Sequence, residues 1–157
     1  MMETAAHPYA VTMQGPHWLS MEITLEGVTP TEALTWFTQP DKLRRWWGPQ
    51  DITIDPVPGG AYVLSWLTMG WVMRGEIVNM SDTHLVYSWA WDHEPERPAR
   101  VVIVRARKQG HRSLVTITHG PFRPGEALPD EDQDHDSHLD GWMTFLPELK
   151  RMAERRD

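Results

Sequence analysis

SHLDGWMTFLPELKRMAER, residues 137–155, is the stretch on which the fold turns. Leu139, Trp142, Met143, Leu146, Leu149, Met152 and Ala153 recur at helical spacing and form one apolar stripe. A helix this amphipathic must cover its stripe with another element. Pro147 lies inside the pattern. It offers no N–H to the Met143 carbonyl and its ring crowds the preceding turn, which predicts a kink or break there.

The upstream sequence supplies strands to cover that stripe. Residues 18–26 alternate, with Leu19, Met21, Ile23 and Leu25 on one face. Thr29-Pro30 then opens a short helix, since threonine caps, proline suits the first helical position and Glu32 stands at the capping-box position. Pro40 ends that helix and starts a second over 41–46, stopped by Gly48-Pro49. Strands are expected over 51–57, 61–67, 70–79, 84–91, 100–108 and 112–119, joined by turns such as Pro58-Gly59-Gly60 and Gln109-Gly110. Consecutive strands with short turns favour an antiparallel sheet. A long loop is expected over 120–136, with Pro121, Pro124 and Pro129 and an acidic run; loops of that length are usually functional or disordered. The expected fold is therefore α+β: a curved antiparallel sheet of about six or seven strands around a long C-terminal helix, with two short helices after the first strand. Residues 1–16 are expected as a disordered or extended tail, and 17–157 as a single domain.

Composition removes several functions. The 157 residues carry 15 Lys and Arg against 22 Asp and Glu, a formal charge of −7 that repels phosphate backbones, so no nucleic-acid partner is expected. No apolar run approaches the roughly 20 residues that span a bilayer, so no membrane insertion is expected, and the N-terminus lacks a secretory pattern. Cysteine is absent, which excludes disulfides and thiolate chemistry and fits a cytoplasmic location. Nine Trp and nine Met are abundant. They suit a core of large side chains, and equally a cavity with aromatic and adaptable walls.

Several motifs bear a resemblance. Phe37-Thr38-Gln39-Pro40 followed by Arg45-Trp46-Trp47-Gly48-Pro49 resembles the opening motif of the AHSA family, the activator-of-heat-shock-protein-ATPase-like branch of the SRPBCC (START-like, helix-grip) superfamily. Pro58-Gly59-Gly60, Gly75-Glu76-Ile77, Leu85-Val86-Tyr87-Ser88-Trp89 and Thr116-Ile117-Thr118-His119-Gly120 resemble its later turn and strands, and His138 with Gly141-Trp142 the start of its last helix. The resemblance covers roughly residues 18–153. It implies the helix-grip fold. It leaves function wide, because that superfamily includes lipid and polyketide binders, cyclases and co-chaperone domains with stress-response roles.

Candidate site residues follow from strand phase. His119 continues the inward phase of Val115 and Ile117. An imidazole there can orient a ligand or move a proton, and a hydrogen-bonded core histidine is the alternative. His138 precedes the stripe and is placed to approach His119 across a cavity mouth. Tyr87, Trp89 and Trp91 share one strand face, and Trp71 and Met73 share another. Set against Trp142, Met143, Phe145 and Leu146, these faces would enclose an apolar pocket, unless the core is filled. The expected ligand-binding set is Trp71, Met73, Tyr87, Trp89, His119, His138, Trp142, Phe145 and Leu146. No catalytic residue is assigned, His119 being the candidate.

Other groups are weaker. Arg44, Arg45, Trp46 and Trp47 read chiefly as packing at the sheet end, with the arginines solvated. Arg74 and Glu76 could do acid–base work only if they face inward. The acidic run at Asp132, Asp134 and Asp136 fails the calcium-loop pattern, because Ser137 and Met143 occupy the positions that need Gly and Glu. No His-x-x-x-His pair supports zinc, and no phosphate-binding or dinucleotide motif is present, so no metal or cofactor is expected. The expected function is binding of a small hydrophobic or aromatic molecule between sheet and C-terminal helix. A cyclase, dehydratase or hydrolase using His119 and a co-chaperone-like interaction module are the alternatives, and a homodimer is an open option.

Overall fold

The computed structural model describes residues 9–14, 18–122 and 131–155. Eight strands form one antiparallel sheet: β1 (Tyr9–Gln14), β2 (Leu19–Glu26), β3 (Asp51–Ile54), β4 (Ala61–Trp66), β5 (Trp71–Ser81), β6 (His84–Trp91), β7 (Arg100–Gln109) and β8 (Arg112–Gly120). Their order across the sheet is β1-β2-β8-β7-β6-β5-β4-β3. From β3 to β8 each strand pairs with the next. The crossover lies between β2 and β3, where α1 (Pro30–Thr38) and α2 (Pro40–Trp46) carry the chain to the far edge of the sheet. The last element is α3 (Glu131–Ala153).

Local chemistry explains these elements. The Thr29 hydroxyl accepts from the Glu32 N–H at 3.1 Å, and Pro30 opens α1, as its cap signature predicts. Leu19, Met21, Ile23 and Leu25 on alternate positions of β2 are all fully buried. The α3 stripe buries Trp142, Leu146, Leu149 and Ala153, one residue per turn along one face. Each buried leucine contributes about 1.5–3 kcal/mol. At its C-terminal end α3 is pinned to β2. The Lys150 ammonium donates to the Thr24 carbonyl and to Glu154, and Glu154 accepts from the Glu26 N–H at 2.7 Å.

The structure departs from the sequence expectations in four places. The sheet has eight strands, because Tyr9–Gln14, within the segment expected as a tail, pairs along β2. β3 ends at Ile54, short of the expected 57, because Pro56 has no N–H and the Val57 N–H turns back to the Asp55 carbonyl at 2.8 Å. α3 begins at Glu131, six residues before the expected start; an acidic sequence suits the positive end of a helix. α3 also continues through Pro147, so of the expected kink or break the break does not occur. The burial of Leu146 and Leu149 on either side offsets the cost of the missing hydrogen bond. Residues 123–130, which made up much of the expected loop, residues 1–8, 15 and 16 of the expected tail, and residue 17 lie outside the described residues.

Gly75 shows what one of the motifs does. A Cβ there would stand 1.9 Å from the Ser88 carbonyl oxygen across the β5–β6 pair, beside the irregular register between Ile77 and Asn79. Gly75→Ala is expected to lower stability by about 1–3 kcal/mol or more through overpacking. Urea denaturation midpoints measure this, and an unchanged midpoint would show that the strands do not approach so closely.

Candidate functional site

The site grows from Trp47, the residue that ends α2. Trp46 turns inward, donating its indole N–H to the Trp36 carbonyl at 2.8 Å and meeting Phe37 edge-on. Trp47 stacks on Trp46 at 4.9 Å and 13°, which fixes its ring above the sheet. Gly48, at φ +86°, then turns the chain toward β3. Three further indoles gather on Trp47: Trp66 of β4 at 5.8 Å, Trp89 of β6 at 5.8 Å and Trp142 of α3 at 5.1 Å. The Trp66 N–H locks this arrangement by donating to the Trp47 carbonyl at 3.1 Å.

Beside this cluster lies a cavity of about 320 Å3 between the sheet and the N-terminal half of α3. Six of the nine tryptophans line it: Trp47, Trp66, Trp71, Trp89, Trp91 and Trp142. On the α3 side the wall is completed by Ser137, His138, Gly141 and Phe145, and near the mouth by Met69, His93 and Glu94. A second concavity, about 640 Å3, is lined by His84, Arg105 and Arg107 among others and has no aromatic wall of this kind.

Two histidines back this wall, His138 within the cavity lining and His119 behind it. The Trp142 N–H donates to His119 Nδ1 at 3.0 Å, and the Trp91 N–H donates to His138 Nε2 at 3.1 Å. The two imidazoles meet edge-on at 5.1 Å. His119 is fully buried. Burial, and then the charges of His138 and Arg100, hold its pKa well below the ordinary histidine value. It is therefore neutral. With Nδ1 accepting, its proton sits on Nε2, which has no partner among the described residues. The Trp89 indole N–H is likewise buried without a partner among them.

The structure divides the expected set. Trp71, Trp89, His138, Trp142 and Phe145 line the cavity. Met73, Tyr87 and Leu146 do not; each is fully buried in the core, with Tyr87 stacked on Tyr62 at 4.0 Å. His119 sits behind the wall and touches the cavity only through Trp89, Trp142 and His138. Arg74 and Glu76 point outward, Arg74 in a two-bond pair with Asp92, so neither reaches the site. Arg44 and Arg45 are exposed, as expected. Trp47 and Trp66 were missed as site residues. Trp66 was legible in the alternation of β4, whereas nothing in the sequence separates the packing role of Trp46 from the cavity role of Trp47.

Comparisons with known proteins agree with this architecture. The family described as Activator of Hsp90 ATPase homolog 1-like protein matches residues 28–154. No curated protein matches the chain significantly by sequence. A crystal structure from Mesorhizobium loti superposes with a TM-score of 0.72 at 19% identity, covering 88% of this chain and 98% of that one. The solution structure of the Aha1 dimer from Colwellia psychrerythraea gives 0.69 at 17%, covering 87% and 96%. DynU16, from the dynemicin biosynthetic locus, gives 0.68 at 16%, covering 88% of this chain and 47% of DynU16. At these identities the likeness carries the fold alone.

Two outcomes test the histidine backing. Because the folded-state pKa of His119 is depressed, the unfolded chain binds more protons below about pH 6.5. The stability from the neutral imidazole is thus full above that pH and lost as pH falls below it. Between pH 7 and pH 5 the wild type should lose up to about 1.4 kcal/mol per pH unit more than His119→Gln; parallel urea-midpoint profiles would show that His119 is not the buried titrating group. Trp142→Phe, which keeps the ring and removes the donor, should cost about 1–3 kcal/mol by leaving Nδ1 unpaired. Thermal denaturation measures that loss.

Proposed function

The chain belongs to the Activator of Hsp90 ATPase homolog 1-like family, a branch of the helix-grip SRPBCC superfamily, and on that footing we propose that it binds a small hydrophobic or aromatic molecule in the tryptophan-lined cavity. The observation that carries this is a space of about 320 Å3 bounded by six indoles at the junction of sheet and α3. Cavities of this size with mostly apolar walls and few polar groups are the usual form of small-molecule sites. Burying each 100 Å2 of apolar ligand surface contributes about 2.5 kcal/mol before ordering costs. We place such a carrier in the cytoplasm, a setting with which a cysteine-free chain is compatible.

Gly141 gives a second line of support. Glycine inside a helix costs about 0.5–1 kcal/mol relative to alanine. Gly141 stands in the interior of α3 and lines the cavity, and a Cβ there would meet nothing within 4 Å. A residue that weakens the helix without a packing need keeps the cavity wall thin. The geometry favours an acid–base enzyme less. His119 is sealed behind the wall, and its Nδ1 is already engaged by Trp142.

Gly141→Phe is the decisive variant, because it projects a ring into the cavity and removes no existing contact. Wild-type protein screened against a panel of neutral aromatic and aliphatic compounds, by native mass spectrometry and tryptophan fluorescence, should show saturable binding. Gly141→Phe should lose that binding while melting at the wild-type temperature or above. No saturable binding by the wild type, or equal binding by the variant, would exclude the carrier function.

A further inference from the structure

Trp47, Trp89 and Trp142 lie at shallow angles to one another, 26°, 38° and 39°, but the other cavity walls meet steeply. Trp89 and Trp91 meet at 86°, Trp47 and Trp66 at 70°, Trp71 and Trp91 at 64°, and Trp66 and Trp91 at 52°. A flat ligand can stack on only one such wall. A compact, rounded group meets several π faces at once.

The walls also offer little hydrogen bonding. Trp66, Trp91 and Trp142 use their N–H groups within the protein, and the Trp89 N–H is buried away from accessible surface. An indole offers a guest either its negative face or a donor N–H, and no acceptor. The lining includes one carboxylate, Glu94, and no Lys or Arg. Glu94 is paired with Arg97 at 3.5 Å, which offsets part of its charge. Aromatic faces attract cations, the more so when the contact is desolvated. A primary ammonium carries three donors, and the six indoles that dominate the lining supply no acceptor for them; Ser137, His93, His138 and Glu94 are the acceptors of the wall. A quaternary ammonium has no N–H and a rounded, methyl-covered surface.

We propose that the cavity selects a quaternary ammonium group carried on an apolar or aromatic body. This rests on the binding function proposed above and specifies the charge and shape of its ligand.

The test compares phenyltrimethylammonium with tert-butylbenzene, which share a shape and differ by the charged nitrogen. Both are titrated into the wild-type protein, with shifts of the indole N–H resonances as the readout. The cation is expected to bind at least about 10-fold more tightly, as one desolvated cation–π contact requires. Equal affinity, or tighter binding of the neutral compound, would overturn the cation preference and leave the apolar carrier intact. Absence of binding by both, and by every compound of the neutral panel, would overturn the carrier function and this inference together.

Discussion

The hydrogen bond from the Trp142 indole to His119 joins α3 to β8 through two groups that are both buried. Water cannot replace either partner there; burial keeps the imidazole neutral, and the bond sets its tautomer. It also fixes where the helix stands. Toward its C-terminal end α3 approaches through Leu146, Leu149 and Ala153, aliphatic side chains that close on the core, and Lys150 and Glu154 pin it to β2. Toward its N-terminal end the spacers are indole and imidazole rings. The helix is therefore held close at one end and propped by large, flat groups at the other. The cavity lies at the propped end.

Trp47 makes that end rigid. It is stacked on Trp46, its carbonyl receives the Trp66 N–H, and its ring touches Trp89 and Trp142. One residue at the end of a seven-residue helix thus ties α2, β4, β6 and α3 into a single aromatic cluster. Ring contacts of this kind add about 0.5–1.5 kcal/mol each beyond area burial. They are also directional, which resists collapse of the space beside them. The glycine at position 141 acts in the same sense, keeping side-chain volume off the helix face that borders the cavity.

Much of the architecture was legible because period and punctuation are local signals. The alternation of β2 and β6, the cap at Thr29-Pro30 and the stripe of α3 each follow from a few neighbouring residues. Inward phase was legible for His119, Trp89 and Trp142 for the same reason. Depth along a strand was not. Leu85, Tyr87, Trp89 and Trp91 share a face, yet Tyr87 is deep core while Trp89 and Trp91 border the cavity, according to how far along β6 each lies from the propped end of α3. Period two says which face, and only the docked helix says which end. Met73 and Tyr87 were assigned to the site for this reason and belong to the core; Leu146, also core, lies one turn past Trp142 along α3, and Trp47 was omitted because nothing in the sequence separates it from Trp46. The early start of α3 was hidden by an acidic composition that suits a loop and a helix N-terminus alike.

Residues bordering α3 and the sheet leave a space rather than a filled core. Crystals of the wild-type protein pressurised with xenon test it most directly, since xenon enters apolar cavities without needing a matched ligand. A xenon atom among Trp66, Trp89 and Trp142 is expected. Side chains packed solid across that region, with no xenon bound there, would contradict it.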